Sequence, residues 1–409
     1  MTSTADTPSP ATGAATAAPY YDPYDVAINN DPYPAFKALR DEAPVYYNEV
    51  HDFYALSRFD HIAQALRDHS TFISGRGGIL ELIKAGIEMP PGILIFEDPP
   101  THTNHRRLLS RVFSPRRVAE LEGKIRDFTV KTLDPLVGAG EFDVIADVAA
   151  QVPMKTISML LGIPEADQER VRDKTDANLR TEEGKPMEVR EDFVSGDMFA
   201  DYIDWRADNP SDDLMTDLLN AEYEDENGEK RRLTRAEILT YVAVVAGAGN
   251  ETTNRLIGWT AKVLADHPDQ RRELVEDPEL IPNAIEELLR FEGPAPHVGR
   301  YVASDVEIDG TTIPAGNAIL LLLGAGNRDE RKFTEPDRFD IHRDVTQMMT
   351  FGYGIHFCLG ANLARMEGRV VLEEMLKRFP EWDVDLGRAN LAPTSTVRGW
   401  ETLPMIVGS

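Results

Sequence analysis

The chain of 409 residues holds a single cysteine, Cys358. Disulfides within the chain and metal centres built from several thiolates are therefore excluded. Long apolar runs are missing as well. The longest, Ala318 to Leu323, suits a buried strand and falls far short of a membrane span. The amino terminus has neither the basic region nor the apolar segment of a secretory signal. The expectation is a cytoplasmic protein in a reducing compartment. Basic charge is scarce: 43 Lys and Arg stand against 70 Asp and Glu, a formal net charge of −27. That balance argues against nucleic acid and anionic membranes as partners. No internal repeat and no interior linker divides the chain. Residues 1–19, rich in Thr, Ala, Ser and Pro, read as a disordered tail, and residues 20–409 as one domain.

What is present begins around the cysteine, in Phe351-Gly352-Tyr353-Gly354-Ile355-His356-Phe357-Cys358-Leu359-Gly360. A lone cysteine has three roles open to it: buried spectator, nucleophile or metal ligand. The surroundings favour the last. Gly352, Gly354 and Gly360 let a backbone bend tightly and approach a flat object. A helical pattern follows, and a thiolate ahead of a helix N-terminus gains from the dipole and free N–H groups.

The remaining pattern is mainly α with small β pieces. Residues 44–58 read as a hairpin and 59–68 as a helix. Residues 73–96 form a long apolar loop containing Pro90-Pro91, of the kind that tends to be functional. Residues 103–222 are mostly helical, and 223–232 read as a surface turn. Thr234-Arg235-Ala236-Glu237 is a capping box opening a helix that runs to about Asp266. Further helices are predicted over 281–292 and 360–379, with short strands over 294–326 and 380–409.

The long helix carries a conflict. Ala246-Gly247-Ala248-Gly249-Asn250-Glu251-Thr252-Thr253 sits near its middle, and each mid-helix glycine costs about 1 kcal/mol relative to alanine. Something packing against or into the helix explains that cost. A carboxylate beside hydroxyls can also pass protons. Glu287 and Arg290 stand at i and i+3, where they can pair, and Arg338 is a candidate third partner. His102 and Arg106 stand four apart on one helix face, where they can hold an anion. Arg300 and His356 are further anion contacts.

In order, the chain offers His-x-x-x-Arg, Ala-Gly-x-Glu-Thr-Thr, Glu-x-x-Arg, Pro-x-Arg-Phe and Phe-Gly-x-Gly-x-His-x-Cys-x-Gly. From about residue 20 to the carboxyl terminus this resembles the cytochrome P450 superfamily in its bacterial soluble branch. The resemblance implies the cytochrome P450 fold, a triangular helical prism enclosing haem b. It implies Cys358 as the proximal iron ligand, pushing electron density that favours O–O cleavage. By the same resemblance Phe351, Gly352 and Gly360 meet the haem on the sulfur side. His102, Arg106, Arg300 and His356 meet its propionates, and Ala248 and Gly249 form the dioxygen groove. Glu251 and Thr252 resemble the acid–alcohol pair that delivers protons, with Glu where the family often has Asp. Glu287, Arg290 and Arg338 resemble a buried structural ion network.

The substrate is expected against loop 73–96 and Val244, Val245, Ala248, Ala295, His297, Val298 and Thr396. Those aliphatic walls, with His297 and the Thr394-Ser395-Thr396 group as polar anchors, imply a terpenoid, steroid, fatty acid or aromatic compound. The chain ends about 50 residues after Cys358, so electrons are expected from a separate ferredoxin and reductase. The ferredoxin would dock on a basic patch of Arg106, Arg107, Arg111, Arg116, Arg365 and Arg369. The implied activity is a haem-thiolate monooxygenase. A haem-binding sensor or carrier without turnover is the alternative, and a peroxide-using variant a third. Glu251 and Thr252 speak against both.

Overall fold

A computed structural model describes residues 18–87, 89, 92–177, 180–189, 196–225 and 228–408. The expected tail, up to residue 17, lies outside these residues, as do Pro90 and Pro91. The helices that build the site are α1 (Phe59–Arg67), α2 (Leu80–Ala85), α3 (Thr101–Val112), α4 (Pro115–Leu133), α5 (Gln151–Leu161), α6 (Gln168–Ala177), α7 (Arg235–Asp266), α8 (Ile281–Phe291) and α9 (Ala361–Arg378). The fold is mainly helical with small sheets, as expected.

Helix α7 is the axis. Its capping box forms as predicted: the Thr234 side chain accepts from the Glu237 N–H, and the Glu237 side chain accepts from the Thr234 N–H. It ends at His267, where Pro268 cannot continue the ladder. At 1.5 Å per residue it spans about 48 Å. Its buried Leu256, Ile257 and Val263 share one core cluster with Val152 and Ile157 of α5 and Val370 and Val371 of α9. Each such side chain contributes roughly 1.5–3 kcal/mol by leaving water.

A mixed five-stranded sheet flanks the helices: β1 (Val45–Asn48), β2 (Phe53–Leu56), β3 (Phe72–Ile73), β4 (Val298–Val302) and β5 (Ala318–Leu321). Its order is β1-β2-β5-β4-β3, with β2 and β5 parallel and the other pairs antiparallel. The predicted hairpin is β1–β2, with Tyr47 opposite Tyr54. On β4, Val298 and Arg300 are two apart and share a face.

Two expectations need correction. The apolar segment 73–96 is not structureless: it contains α2 and a 3-10 turn over Leu94–Phe96. Residues 223–232 are not a plain turn. Glu222–Glu224 and Lys230–Arg232 pair as antiparallel strands.

The buried ion network also differs. Glu287 and Arg290 pair as predicted, at 2.6 and 2.8 Å, with neither side chain reached by solvent. The third partner is Arg343, whose Nε lies 3.1 Å from Glu287. The Arg338 side chain is 62% exposed and turns to Glu335 and Asp340. Only its backbone carbonyl takes part, accepting from Arg290 and Arg343. Removing Arg343 leaves a buried carboxylate short of a charged donor, a loss of about 1.5–3 kcal/mol. Arg343→Ala is therefore expected to destabilise the protein by that amount in chemical denaturation, and Arg338→Ala by less than about 0.5 kcal/mol. Equal losses would put Arg338 back in the network.

Candidate functional site

The cysteine loop is closed by its own backbone. The Cys358 N–H donates to the Phe351 carbonyl (2.8 Å), and the Gly352 N–H to that of Met349 (2.7 Å). Gly352 and Gly354 both have positive φ, 69° and 71°. At Gly354 a Cβ would also lie 2.8 Å from the Leu66 carbonyl oxygen, so only glycine lets the loop sit on the last turn of α1. A Cβ at Gly360 would meet nothing within 4 Å. That glycine answers no protein contact and leaves open space beside the sulfur.

Cys358 is reached by solvent. It is nevertheless surrounded closely enough that burial pushes its thiol up, against the Gly360 N–H, Arg106 and Arg365, which all pull it down. The Gly360 N–H and the two arginines favour the thiolate, as a position ahead of α9 implies, while burial opposes it. A metal bound there would add to that stabilisation, since a metal ligates thiolate and displaces the proton. Among the described residues no three His, Cys, Asp or Glu side chains gather as a metal site. A metal at Cys358 must bring its other ligands with it.

Four predicted anion contacts do converge. The His102 and His356 rings lie 4.4 Å apart. Arg106 donates from Nη2 to the Phe357 carbonyl (2.6 Å). Arg300 is 7% exposed and donates from Nη1 to the Gly299 carbonyl (2.7 Å). Among the described residues, none of the four has a carboxylate within salt-bridge distance, and both His102 ring nitrogens and His356 Nε2 are buried without a partner. Burial and the neighbouring Arg106 push His102 down to about 4. Burial pushes His356 down further, helped by Arg300, His102 and Arg106. Burial pushes Arg300 down to about 10. Two arginines and two histidines, buried or half-buried and without a carboxylate partner, fit a group that carries two carboxylates. These residues and Cys358 thus fit a haem and its propionates.

Beside them lies a cavity of about 350 Å³. The predicted Val244, Ala248, Ala295, His297, Val298 and Thr396 line it, as do Arg300 and His356. Loop 73–96 contributes Ile79, Ile93 and Phe96. Sequence reasoning missed Met198 and Phe199, which lie in a 3-10 turn (Asp197–Phe199) ahead of the helix Ala200–Asp208 and carry no motif. Two predicted contacts lie elsewhere. Val245 turns into the core beside α7, because consecutive helical residues diverge by about 100°. Gly249 also points away: a Cβ there would lie 2.3 Å from Ile157 Cδ1. It permits the α5–α7 crossing, whereas Gly247 lines the cavity.

The acid–alcohol pair is split between two environments. Thr252 lines the cavity and donates to the Ala248 carbonyl (2.8 Å). Glu251 is 3% exposed and pairs with Arg255. His297 is not a free anchor. Tyr21 hydroxyl bonds its Nδ1 (3.2 Å), and burial lowers it to about 4 against the Ser395 backbone.

Half of the predicted basic patch is neutralised. Arg365 is bidentate to Glu286 (2.5 and 3.0 Å) and stacks over Phe351. Arg369 pairs with Glu122 and Glu373, and Arg116 with Glu120. Arg107 and Arg111, four apart on α3, are exposed and have no carboxylate partner among the described residues.

Comparison with known proteins bears on the whole chain. The cytochrome P450 family model matches residues 188–396. A putative cytochrome P450 123 of Mycobacterium tuberculosis is 36% identical over 392 residues, covering 94% of this chain and 96% of that protein. A vitamin D(3) 25-hydroxylase of Pseudonocardia autotrophica is 36% identical over 384 residues, covering 92% and 94%. The structure of cytochrome P450 CYP109Q5 from Chondromyces apiculatus superposes with a TM-score of 0.83 at 33% identity, covering 95% of this chain and 98% of that one.

The placement of Gly249 has a direct test. Gly249→Ala overpacks the crossing and is expected to cost about 1–3 kcal/mol in denaturant unfolding. Adding Ile157→Ala, which removes the clashing atoms, should make the double variant more stable than the two separate losses predict. Additive losses would mean that Gly249 answers to something other than Ile157.

Proposed function

The chain belongs to the cytochrome P450 family of haem-thiolate monooxygenases, and from that premise we propose that it inserts one oxygen atom of dioxygen into an uncharged lipophilic molecule. The observation that carries this reading is the cluster of His102, Arg106, Arg300 and His356 beside the Cys358 loop, which has no carboxylate within salt-bridge distance among the described residues and leaves buried ring nitrogens of His102 and His356 without a partner. Haem bound through Cys358 supplies thiolate-ligated iron, the chemistry that activates dioxygen.

This chain's residues do the rest. Cys358 holds the metal, with its loop fixed by the Phe351 carbonyl and by Gly354 against α1. His102, Arg106, Arg300 and His356 hold the two carboxylates. Arg365 over Phe351 steadies the ring on the sulfur side of the site. Thr252 presents a hydroxyl at the cavity wall, where it can bond the reacting oxygen, and Glu251 behind it is the nearest acid on the same helix. A sensor without turnover has no use for that pair.

The aliphatic walls exclude water and select a lipophilic substrate. Three of their polar groups are already engaged: Thr175 donates to its own helix, Thr252 to Ala248, and His297 is tied to Tyr21, while the Thr396 hydroxyl is buried without a partner and can meet an uncharged polar group. Among the described lining residues the one permanent cation, Arg300, is assigned with His356 to the propionates. This favours a terpenoid, steroid or neutral aromatic compound over a fatty acid, whose carboxylate would be left unpaired. The relative named as a vitamin D(3) 25-hydroxylase supports the same class.

Electrons come, in this reading, from a ferredoxin that meets Arg107 and Arg111, and the enzyme works in the cytoplasm. No helix among the described residues is long and apolar enough to cross a membrane.

Reconstituted with haem and reduced under CO, the protein is expected to show the strongly red-shifted Soret band of thiolate ligation. Cys358→His, if it retains haem, should lose that shift. A wild-type protein that binds haem without the shift would overturn the assignment. For the partner, Arg107→Glu with Arg111→Glu should slow reduction by an acidic ferredoxin about tenfold at low salt, with the difference shrinking as ionic strength rises. Rates that stay equal at every salt concentration would remove this surface from the docking site.

A further inference from the structure

Glu251 is not alone. On α6, Thr175 faces the cavity, and the next residue, Asp176, turns to α7. There Asn250 donates from Nδ2 to Asp176 Oδ1 (2.9 Å). The groups that act on Asp176 are Glu251, Asn250 and Arg255 of α7 and Arg172 of its own helix. Arg172 is already bonded to Asp173 (2.7 and 2.9 Å). Arg255 is held between Glu251 and the Trp400 carbonyl. Two carboxyls therefore share essentially one cation. Asp176 is half-buried, between solvent and the buried Glu251.

We propose that Asp176 is a positioning residue that keeps a proton beside Glu251 and passes it inward, so that the helix walling the cavity also carries the proton path. The inference rests on the monooxygenase reading above. Three observations support it. One cation cannot neutralise two carboxylates, and like charges held close cannot both ionise cheaply. Asn250 Oδ1 is buried with no partner, and a protonated Asp176 can donate to that acceptor where an ionised one cannot. Burial, with the Glu251 charge beside it, pushes Asp176 up to about 7.

The transfer is a proton exchange in which no electrons move. The Asp176 carboxyl gives its proton to the Glu251 carboxylate, which becomes neutral while Asp176 becomes the carboxylate. Arg255 then has Asp176 to pair with, which releases neutral Glu251 to turn toward Thr252. Solvent reprotonates Asp176 from its exposed side. The cluster carries the same net charge before and after the inward transfer.

The first test needs no turnover. Between the ordinary Asp value and about 7, the folded protein holds a proton that the unfolded chain has released. Wild-type stability therefore falls as pH rises across that window. Asp176→Asn lacks this fall, so its melting temperature should gain on wild type between pH 5 and pH 8. A constant difference would show that Asp176 holds no such proton. The second test uses the haem-loaded protein with ferredoxin, reductase and NADH, and reads peroxide release and the solvent deuterium isotope effect. Asp176→Asn should raise the peroxide fraction severalfold and enlarge the isotope effect, and Asp176→Glu should restore both. Wild-type values in Asp176→Asn would leave Asp176 outside the relay. The red-shifted CO band should persist in both variants. Its absence in wild type would sink the family-level reading, while its persistence with unchanged coupling would sink this one alone.

Discussion

Basic side chains gathered without a carboxylate partner, two of them buried and two half-buried, are the constraint around which the site is organised. His102 and Arg106 come from α3, Arg300 from β4 and His356 from the cysteine loop. Burial depresses the basicity of all four, and neighbouring positive groups add to it at His102 and His356. A protein does not keep such a cluster for its own stability, since unpaired buried donors cost free energy. The Cys358 thiol has the converse problem, with burial opposing the thiolate that chemistry requires. A single group with two carboxylates and one metal resolves both. The fold serves this convergence. The capping box starts α7 in register, β4 aims Arg300 and Val298 at one face, and Gly354 seats the cysteine loop on α1.

The long helix shows how one residue type can answer two demands. Gly247 and Gly249 stand two apart, on divergent faces of α7. Gly247 borders the cavity, where a side chain would take up ligand space. Gly249 meets Ile157, where a side chain would push α5 away. Their shared helix cost of about 1 kcal/mol each is offset once by binding and once by packing. Thr252 and Glu251 divide the same way, the hydroxyl toward the cavity and the carboxylate toward Arg255. The side that a residue faces on α7 decides its chemistry.

Local chemistry was legible in the sequence, and long-range choice was not. The capping box at Thr234, the stop at Pro268, the hairpin at 44–58 and the glycine-rich cysteine loop all follow from neighbouring residues. So did the convergence of His102, Arg106, Arg300 and His356, because the motif order carried it. The partner of Glu287 was not legible. Arg338 and Arg343 lie five apart in one irregular segment, and only the path of that segment over α8 decides which side chain turns inward. Val244 and Val245 are equally apolar, and α7 is buried on most of its circumference, so hydrophobic period could not separate cavity from core.

Surface charge gives the opposite lesson, since there the sequence held more than proximity to a motif suggests. Arg116 has Glu120 four residues on, and Arg369 has Glu373, spacings at which helical side chains pair. Both pairs form. Arg107 and Arg111 have no acid at such spacing, because the chain from Thr101 to Ala119 holds no Asp or Glu at all. In a chain of net charge −27, an acid-free stretch of that length is where positive potential survives. It also carries His102 and Arg106 on α3. One local depletion of carboxylates thus leaves the inner residues of α3 free to hold an anionic group and the outer ones free to meet an anionic partner.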